Sequence, residues 1–393
     1  MTLRTLDDLG DVSGRRVFVR VDFNVPLVGR SVADDARIGA TLPTLEELLD
    51  RGASLVLGSH LGRPKGTVVD DLRLEPVAAR LAQLLGRPVV ALAEVAPAVL
   101  PEDPIVLLEN LRFDPGEEAN DPSFAGRLAE LADIYVDDAF GAAHRAHASV
   151  SALPELMLAS GRSAVAGRLL QREVDVLGRL LHDPARPFVA ILGGAKVSDK
   201  LATIEALVER VDALLIGGAM AFTLIAAGGG SIGASLVESD RFDDVRSART
   251  RARERGVAIE LPLDVVAAEE ISADAPTKVV PADAVPDGWK GLDVGPETVA
   301  SFARSIAGAK TILWNGPMGV FELEPFAAGT NAIARAVAGA DAFSVVGGGD
   351  SLLAIRKAGL EDGFDHLSTG GGASLEFLEG RALPGITILE ESP

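Results

Sequence analysis

The chain has 393 residues, 48% of them hydrophobic, so the usual size of a domain predicts two or perhaps three separate cores. Its 57 acidic residues outnumber its 37 lysines and arginines, which argues against a protein that binds nucleic acid or anionic lipid through overall charge. The sequence contains no cysteine, which excludes disulfides and thiolate metal sites and suits a reducing compartment.

The N-terminal stretch MTLRTLDDLG lacks the apolar core of a signal peptide, so we expect a cytoplasmic protein. An uncharged stretch at 213–237 has the length of a membrane span. Glycines interrupt it repeatedly, and it is better explained as a buried strand, a glycine turn and an apolar helix. We therefore expect no membrane partner and no nucleic-acid partner.

Short apolar runs rich in β-branched residues alternate with longer helical patterns along the chain. This rhythm predicts an α/β fold with two doubly wound, Rossmann-like parallel-sheet domains. The runs lie at 17–23, 54–59, 105–108 and 134–140 in the first half and at 188–194, 213–218, 311–316 and 343–349 in the second.

Between the two sets of strands, apolar residues recur at helical spacing until His182-Asp183-Pro184 ends the pattern. This indicates a helix that joins the domains. We expect a first domain over 1–165, the interdomain helix over 166–181, a second domain over 182–371 and a C-terminal segment over 372–393.

Cationic side chains follow the strands of the first half, where open α/β sheets bind ligands. Arginine forks suit a small, highly anionic ligand, although any one arginine alone is more often a surface charge. Three histidines among them could instead suggest a metal site, but their spacing is a weak signal for one. The cations are Arg20, Arg37, His60, Arg63, Arg112, His144 and Arg145, and His147 follows.

Glycine clusters follow the strands of the second half and precede helical patterns, as in sites where backbone N–H groups contact phosphate. None fits the P-loop or the dinucleotide-binding fingerprint. Lys196 and Lys200 are four residues apart and would share one face if their segment were helical. Asp350 and Ser351 stand where a helix would begin, so capping of that helix explains both residues. The functional alternative is that Asp350 binds Mg²⁺.

In its motifs the chain resembles the phosphoglycerate kinase family over nearly its whole length. The motifs stand in family order, and agreement of all of them is not a chance event. They are RVDFNVP, SHLGRP, ENLRF, DAFGAAHRAHAS, GGAKVSDK, GGAMAFT, SLVE, GLDVGP, WNGPMGVFE, GGGDS and STGGGASLEFLEG. Small departures are Ser351, where the family often has Thr, and Asp137, where Asn is common.

The resemblance implies a 3-phosphoglycerate site on the first domain and an ATP/ADP site with Mg²⁺ on the second, with Glu322 near the ribose and Asp350 near the metal. It also implies a C-terminal segment that returns to the first domain and a monomeric glycolytic enzyme. The substrate residues would be Asp22, Phe23, Asn24, Arg37, His60, Leu61, Gly62, Arg63, Arg112 and Arg145. The nucleotide residues would be Lys200, Gly291, Glu322, Gly348, Gly349, Asp350 and Ser351, with Lys196 beside the transferred group.

A carboxylate acceptor is already ionised near neutrality, so the reaction needs cations rather than a general base. We expect Arg37 and Lys200, with Lys196, to be the catalytic side chains, and domain closure about the interdomain helix to bring the substrates together. Two alternatives fit the architecture: a nicotinamide-dependent dehydrogenase and a hinged solute-binding protein for phosphorylated acids. The first predicts a GxGxxG fingerprint and the second an export signal, and neither is found.

Overall fold

The computed structural model describes residues 2–391 and divides into two compact units. The first unit contains the residues up to Asp175 together with those from Ala382 onward, and the second contains Val176–Arg381. The second unit therefore includes residues 372–381. The reason is that Glu379 accepts a hydrogen bond from Thr203 Oγ1 at 2.7 Å, which holds the preceding helix to the second unit. The predicted domain limits stay a prediction.

A six-stranded, all-parallel sheet forms the centre of the first unit, with strand order β3-β4-β2-β1-β5-β6. Residues 17–21 of the first strand are buried, because a parallel sheet is covered on both faces. The strands are β1 (Arg16–Val21), β2 (Ser54–Gly58), β3 (Val90–Ala91), β4 (Ile105–Leu107), β5 (Ile134–Asp138) and β6 (Ser163–Ala166).

Six helices accompany this sheet along the chain. The amphipathic α1 and α2 bury residues such as Leu45, Leu48 and Val77 in the main core of the unit. The helices are α1 (Ala36–Asp50), α2 (Glu75–Leu85), α3 (Pro115–Glu118), α4 (Pro122–Ala129), α5 (Ala152–Ala159) and α6 (Arg168–His182).

Helix α6 is the helix predicted over 166–181, and it ends at His182 as the sequence pattern indicates. Its first N–H groups find acceptors within the first unit: Thr44 Oγ1 accepts from Arg168 at 2.8 Å and Asp138 Oδ1 from Leu169 at 2.9 Å. Since the first turn of a helix has no internal acceptors, these side chains fix where α6 begins. Its role as a hinge stays a prediction.

A second six-stranded parallel sheet forms the centre of the second unit, with strand order β9-β8-β7-β13-β14-β15, and a three-stranded antiparallel sheet of order β11-β10-β12 accompanies it. The parallel strands are β7 (Phe188–Leu192), β8 (Ala213–Ile216), β9 (Ala258–Glu260), β13 (Thr311–Asn315), β14 (Phe343–Gly347) and β15 (His366–Leu367). The antiparallel strands are β10 (Asp264–Ala268), β11 (Lys278–Pro281) and β12 (Lys290–Val294).

Helices surround this second sheet, and its core contains Trp314, Phe302 and Ile333. The helices are α7 (Leu201–Val208), α8 (Met220–Ala227), α9 (Phe242–Arg255), α10 (Pro296–Ala307), α11 (Ala328–Ala338), α12 (Gly349–Lys357) and α13 (Gly372–Leu378), and α14 (Pro384–Thr387) follows in the segment that belongs to the first unit. The uncharged stretch at 213–237 contains β8 and α8, as predicted. No helix within residues 2–391 combines the length and the apolar character needed to cross a membrane.

Candidate functional site

The loops that follow four neighbouring strands of the first unit carry the predicted cations to one edge of the sheet. These strands, β4, β2, β1 and β5, lie side by side, so their carboxyl ends meet. We call Arg37, His60, Arg63, Arg112 and Arg145 the basic cluster. Arg37 is the second residue of α1, and the other four lie in the loops after β2, β4 and β5.

Arg37 is held at the carboxyl end of β1. Its Nη1 donates to Asp22 Oδ2 at 3.0 Å, and its side chain remains 34% exposed. Asn24 Oδ1 accepts the N–H of Gly62 at 3.0 Å, which connects the β1 loop to the β2 loop. Gly62 has φ +61°, and a Cβ atom there would lie 2.7 Å from Leu72 Cδ2, so the turn requires glycine.

His60 is buried beside Arg20, a guanidinium with no exposed surface at the end of β1. Arg20 Nη2 lies 3.2 Å from His60 Nδ1. Burial, followed by the charges of Arg20, Arg112 and Arg37, lowers the pKa of His60 well below its ordinary value. The imidazole is therefore neutral at neutral pH and contributes a hydrogen-bond donor rather than a charge.

Arg112 is also buried, and it braces the loop after β2 by donating from Nη1 to the carbonyl of Gly62 at 2.7 Å. Burial and the charge of Arg20 lower its pKa, which means that like charges crowd this edge of the sheet. Arg63 and Arg145 are exposed at the same edge. An anion that reached the basic cluster would relieve this repulsion and gain charge-assisted hydrogen bonds.

Two predicted substrate residues, Phe23 and Leu61, are core residues with 0% and 3% exposure. The N–H of Phe23 donates to Ser59 Oγ at 2.9 Å, and that of Leu61 to Asn110 Oδ1 at 3.2 Å. The structure thus brings their side chains to the core and not to the basic cluster.

The second unit contains a cleft of about 510 Å³ at the carboxyl ends of its own strands. Its floor is formed by glycine turns packed backbone on backbone. A Cβ atom at Gly218 would lie 2.6 Å from the nitrogen of Gly194. The lining includes Gly194, Ala195, Gly218, Leu236, Ile271, Gly291, Leu292, Gly319, Glu322 and Asp350.

Lys200 lies immediately before α7, and its ammonium contacts Asn315 at the end of β13. Nζ donates to the Asn315 carbonyl at 3.3 Å and also to the side-chain Oδ1. Burial lowers the pKa of Lys200 to about 8, while the charges of Asp199 and Asp350 oppose that shift. The acceptors of these hydrogen bonds are the two oxygens of the uncharged Asn315, so the positive charge of Lys200 remains available to an anionic group.

Helix α12 begins at the cleft, with Gly348 at its N-cap and φ +91°. Asp350 is exposed in its first turn, and Gly349 is exposed beside it. Ser351 is buried, and its Oγ accepts the N–H of Gly316 at 2.7 Å, so this hydroxyl braces the neighbouring turn. Glu322 is exposed in the cleft.

The segment that contains Lys196 and Lys200 is not helical, so the condition for the two lysines to share one helical face is not met. Helix α7 begins only at Leu201, and Lys196 lies in an exposed, irregular loop. That loop is held by Glu238, which accepts from Ser198 Oγ at 2.6 Å and from Ser198 N–H at 3.0 Å. The hydroxyl and N–H of Ser198 are bound outside any helix, which explains the difference.

The family is decided by comparison with known proteins. Residues 6–381 match the model of the family described as "Phosphoglycerate kinase". The chain belongs to the phosphoglycerate kinase family. The resemblance seen in the motifs is thereby confirmed, and with it the prediction of a phosphotransferase.

Relatives in the phosphoglycerate kinase family span the whole chain. This chain is 54% identical over 398 residues to phosphoglycerate kinase of Moorella thermoacetica, with 100% of both chains covered. The chain is also similar to two solved structures. Phosphoglycerate kinase from Coxiella burnetii is 43% identical, with 99% of both chains covered and a TM-score of 0.87. Phosphoglycerate kinase from Pyrococcus horikoshii is 30% identical, with 98% of both chains covered and a TM-score of 0.85. The predicted fold of two parallel-sheet α/β domains is confirmed.

Three polar residues that hold cationic side chains of the candidate phosphoglycerate kinase site, or the arginine beneath them, were not predicted from the sequence. Asn315 holds Lys200, while Glu117 and Ser149 are buried next to Arg20. Asn315 stands at the end of a predicted strand, which is a signal that could have found it. Glu117 lies in a short helix and gives no such signal.

Proposed function

We propose that this chain catalyses the reversible transfer of a phosphoryl group between 1,3-bisphosphoglycerate and ADP, giving 3-phosphoglycerate and ATP. The observation that carries the proposal is the pair of dissimilar strand-end sites in a chain of this family. One unit has a basic cluster suited to a small polyanion, and the other has a glycine-floored cleft beside Lys200.

In the ATP-consuming direction the nucleophile is the carboxylate of 3-phosphoglycerate. A carboxylate is ionised well below neutral pH, so no side chain needs to remove a proton. The barrier lies in the approach of two anions and in the charge on the oxygens of the transferred phosphoryl group. Cationic side chains and backbone N–H groups are the parts that lower it.

Within this proposal the basic cluster, with Asp22 and Asn24 as its supports, holds 3-phosphoglycerate. The exposed fraction of Arg37 supports a role at the reacting end, because its guanidinium is paired with Asp22 yet open to a ligand. Lys200 supplies the cation of the second unit. Transfer requires the two substrates to meet, so domain closure about α6 and the segment after Gly372 is part of the proposal.

The cleft residues suit a nucleotide. Apolar Leu236, Ile271 and Leu292 can pack against a base, and the exposed Glu322 can accept hydrogen bonds from ribose hydroxyls. Gly291 is needed for packing, since a Cβ atom there would lie 2.0 Å from Phe222 Cζ. The first turn of α12, from Gly349, presents N–H groups to phosphate oxygens.

Asp350 is the residue that would hold Mg²⁺. Its carboxylate is a hard oxygen donor, exposed in the cleft and close enough to act on the charge of Lys200. No group of three or more metal-binding side chains occurs within residues 2–391, which fits an ion held mainly by phosphate oxygens rather than by a protein cage. When bound, Mg²⁺ would neutralise charge on those oxygens. Lys196 remains a candidate neighbour of the transferred group.

The proposed partners are these small molecules, ATP/ADP and Mg²⁺. We further propose that the enzyme is a monomer that acts in the cytoplasm in glycolysis and gluconeogenesis, as the family resemblance suggests.

A coupled assay with ATP, Mg²⁺ and 3-phosphoglycerate tests the proposal. Consumption of ATP that depends on 3-phosphoglycerate is expected. Oxidation or reduction of a nicotinamide cofactor without ATP would favour a dehydrogenase, and tight binding of phosphorylated acids without turnover would favour a solute-binding protein. Either outcome would refute the proposed function.

A further inference from the structure

A continuous chain of hydrogen bonds lies beneath the basic cluster. Glu117, Ser149 and Arg20 are fully buried, and His60 is 5% exposed. Ser149 Oγ lies 2.6 Å from Glu117 Oε1 and 2.7 Å from Arg20 Nε, and Arg20 Nη2 lies 3.2 Å from His60 Nδ1. The chain thus runs from a carboxylate to the imidazole of a proposed substrate residue.

The donors and acceptors that each group has available fix the direction of every hydrogen bond in this chain. A guanidinium only donates and an ionised carboxylate only accepts, so Ser149 Oγ accepts from Arg20 and donates to Glu117. For the same reason His60 Nδ1 must accept from Arg20. The neutral ring therefore carries its proton on Nε2, which lies 4.0 Å from Asp22 Oδ1.

Ser149 itself is held from two further sides. Its N–H donates to Glu117 Oε2 at 2.9 Å, and its carbonyl accepts from the hydroxyl of Tyr135 at 2.8 Å. These contacts hold the backbone of Ser149 in place, and its hydroxyl could turn away only by breaking its own hydrogen bonds to Glu117 and Arg20. It is thus a fixed relay between Glu117 and Arg20.

We propose that Glu117 and Ser149 are positioning residues for His60. Acting through Arg20, they hold the imidazole as the Nε2–H tautomer, so that its one donor is available to an anionic substrate. This inference rests on the proposed function for its kinetic consequence, but its effect on the ring is a property of the free protein. Neither residue touches the proposed substrate site itself.

The alternative arrangement of Arg20 explains why the relay matters. Arg20 Nη2 already lies 4.0 Å from Glu117 Oε1. Without the Ser149 hydroxyl the guanidinium can turn toward Glu117 and release His60 Nδ1. The charged and titratable groups that face the ring are Arg20, Arg37, Arg112, His147 and Asp22. The four cationic or basic members disfavour a second proton on the ring, so the freed ring would change tautomer rather than gain charge.

The experiment compares Ser149→Ala with wild type in the absence of substrate. The tautomer of His60 is measured by nitrogen NMR of the histidine rings, with the signal assigned by its loss in His60→Gln. We expect a pure Nε2–H tautomer in the wild type and a mixture of tautomers in Ser149→Ala. In the kinase assay the KM for 3-phosphoglycerate should rise about tenfold, while the KM for ATP stays within about twofold of wild type.

Ser151→Ala is the matched control. Ser151 is a buried serine in the same loop whose hydroxyl donates to Glu155 at 3.2 Å and not to this chain, so its loss should leave both readouts unchanged. Glu117→Gln leaves one acceptor oxygen where Ser149 needs two, one for its hydroxyl and one for its N–H. The hydroxyl then loses its fixed direction, so this variant should shift the tautomer in the same sense as Ser149→Ala. If Glu117→Gln does not fold, Ser149→Ala decides.

An unchanged tautomer in Ser149→Ala would overturn the proposal, and so would an equal loss for both substrates. Loss of the fold in both variants would assign them a purely structural role and overturn it as well. A wild-type protein without kinase activity would instead refute the proposed function. The tautomer comparison would then still decide whether Glu117 and Ser149 set the state of His60.

Discussion

Asp137 provides a quantitative test of the electrostatics of the first unit. It is fully buried at the end of β5, where its Oδ1 accepts the N–H of Ala139 at 3.0 Å. Burial raises the pKa of this carboxyl group from 3.8 to about 6. The perturbation is Asp137→Asn, which keeps the acceptor oxygen and removes the titration.

The sign follows from proton linkage. Because folding raises the pKa, the folded chain binds the proton more tightly than the unfolded chain. Stability is therefore lost as pH rises from about 4 to about 6, and the loss is complete above that range. A tenfold change in proton affinity corresponds to about 1.4 kcal/mol, so Asp137→Asn should stabilise the first unit by about 3 kcal/mol near pH 8. Near pH 5 the gain should be about half as large.

The aromatic residues of the chain allow the two units to be followed separately. The single tyrosine, Tyr135, lies in the first unit, whereas both tryptophans, Trp289 and Trp314, lie in the second. Urea unfolding is followed by NMR of a ring-labelled Tyr135 and by tryptophan fluorescence. We expect Asp137→Asn to move the tyrosine transition and to leave the tryptophan transition in place, unless the units unfold together.

The control is Asp71→Asn, an exposed aspartate of the same unit that should change stability by less than about 0.5 kcal/mol at either pH. A gain from Asp137→Asn that is equal near pH 5 and near pH 8 would show that side-chain shape rather than charge is responsible. No gain near pH 8 would refute the reasoning.

Four further predictions concern the proposed sites. Asp350→Ala should weaken use of MgATP far more than calorimetric binding of 3-phosphoglycerate, and an equal loss for both would contradict its assignment to the metal and nucleotide. Arg37→Ala, with a thermal melt as folding control, should lower kcat by about 10² to 10³ with little change in 3-phosphoglycerate affinity, whereas a near-normal kcat would exclude a catalytic role. The pKa of Lys200 is about 8, so its ammonium loses its charge as pH increases above that value, and the KM for ATP should rise. Lys200→Arg should remove this rise. A rise that persists in the variant would assign the titration to another group. Binding of 3-phosphoglycerate should weaken from low to high salt, since charges are screened over about 8 Å at physiological ionic strength, and titrations without that trend would argue against the basic cluster.

The sequence predicts the eight central strands because fully buried parallel strands form continuous apolar runs. The edge strands β3 and β15 contain only two residues each, so no pattern could reveal them. The antiparallel sheet of the second unit was also not predicted. Its strand β11 alternates between half-buried and exposed residues and is only four residues long, too short for a period to be recognised.

For the candidate site, too, one part could be predicted from the sequence and another part could not. Cations at strand ends could be predicted, since parallel topology brings consecutive strand ends to one edge of a sheet. The partners that hold them could not, because their pairing depends on packing across long stretches of chain. Asn315 is 115 residues from Lys200, and Ser149 is 129 residues from Arg20. Whether Lys196 and Lys200 share a helical face could not be predicted either, because it depended on the local conformation around Ser198, which is a non-helical loop.

The acidic balance of the chain bears on how an anion site can work here. A formal net charge of −20 repels a polyanionic substrate at long range, so attraction has to be local. The buried network confines the positive charge to one edge of the first sheet. Glu117 balances Arg20 inside the unit, and the partly exposed Arg37 and the exposed Arg63 and Arg145 keep their charge available at the surface. A cation cluster assembled this way attracts ligand over roughly a Debye length of about 8 Å while the rest of the surface keeps other polyanions away.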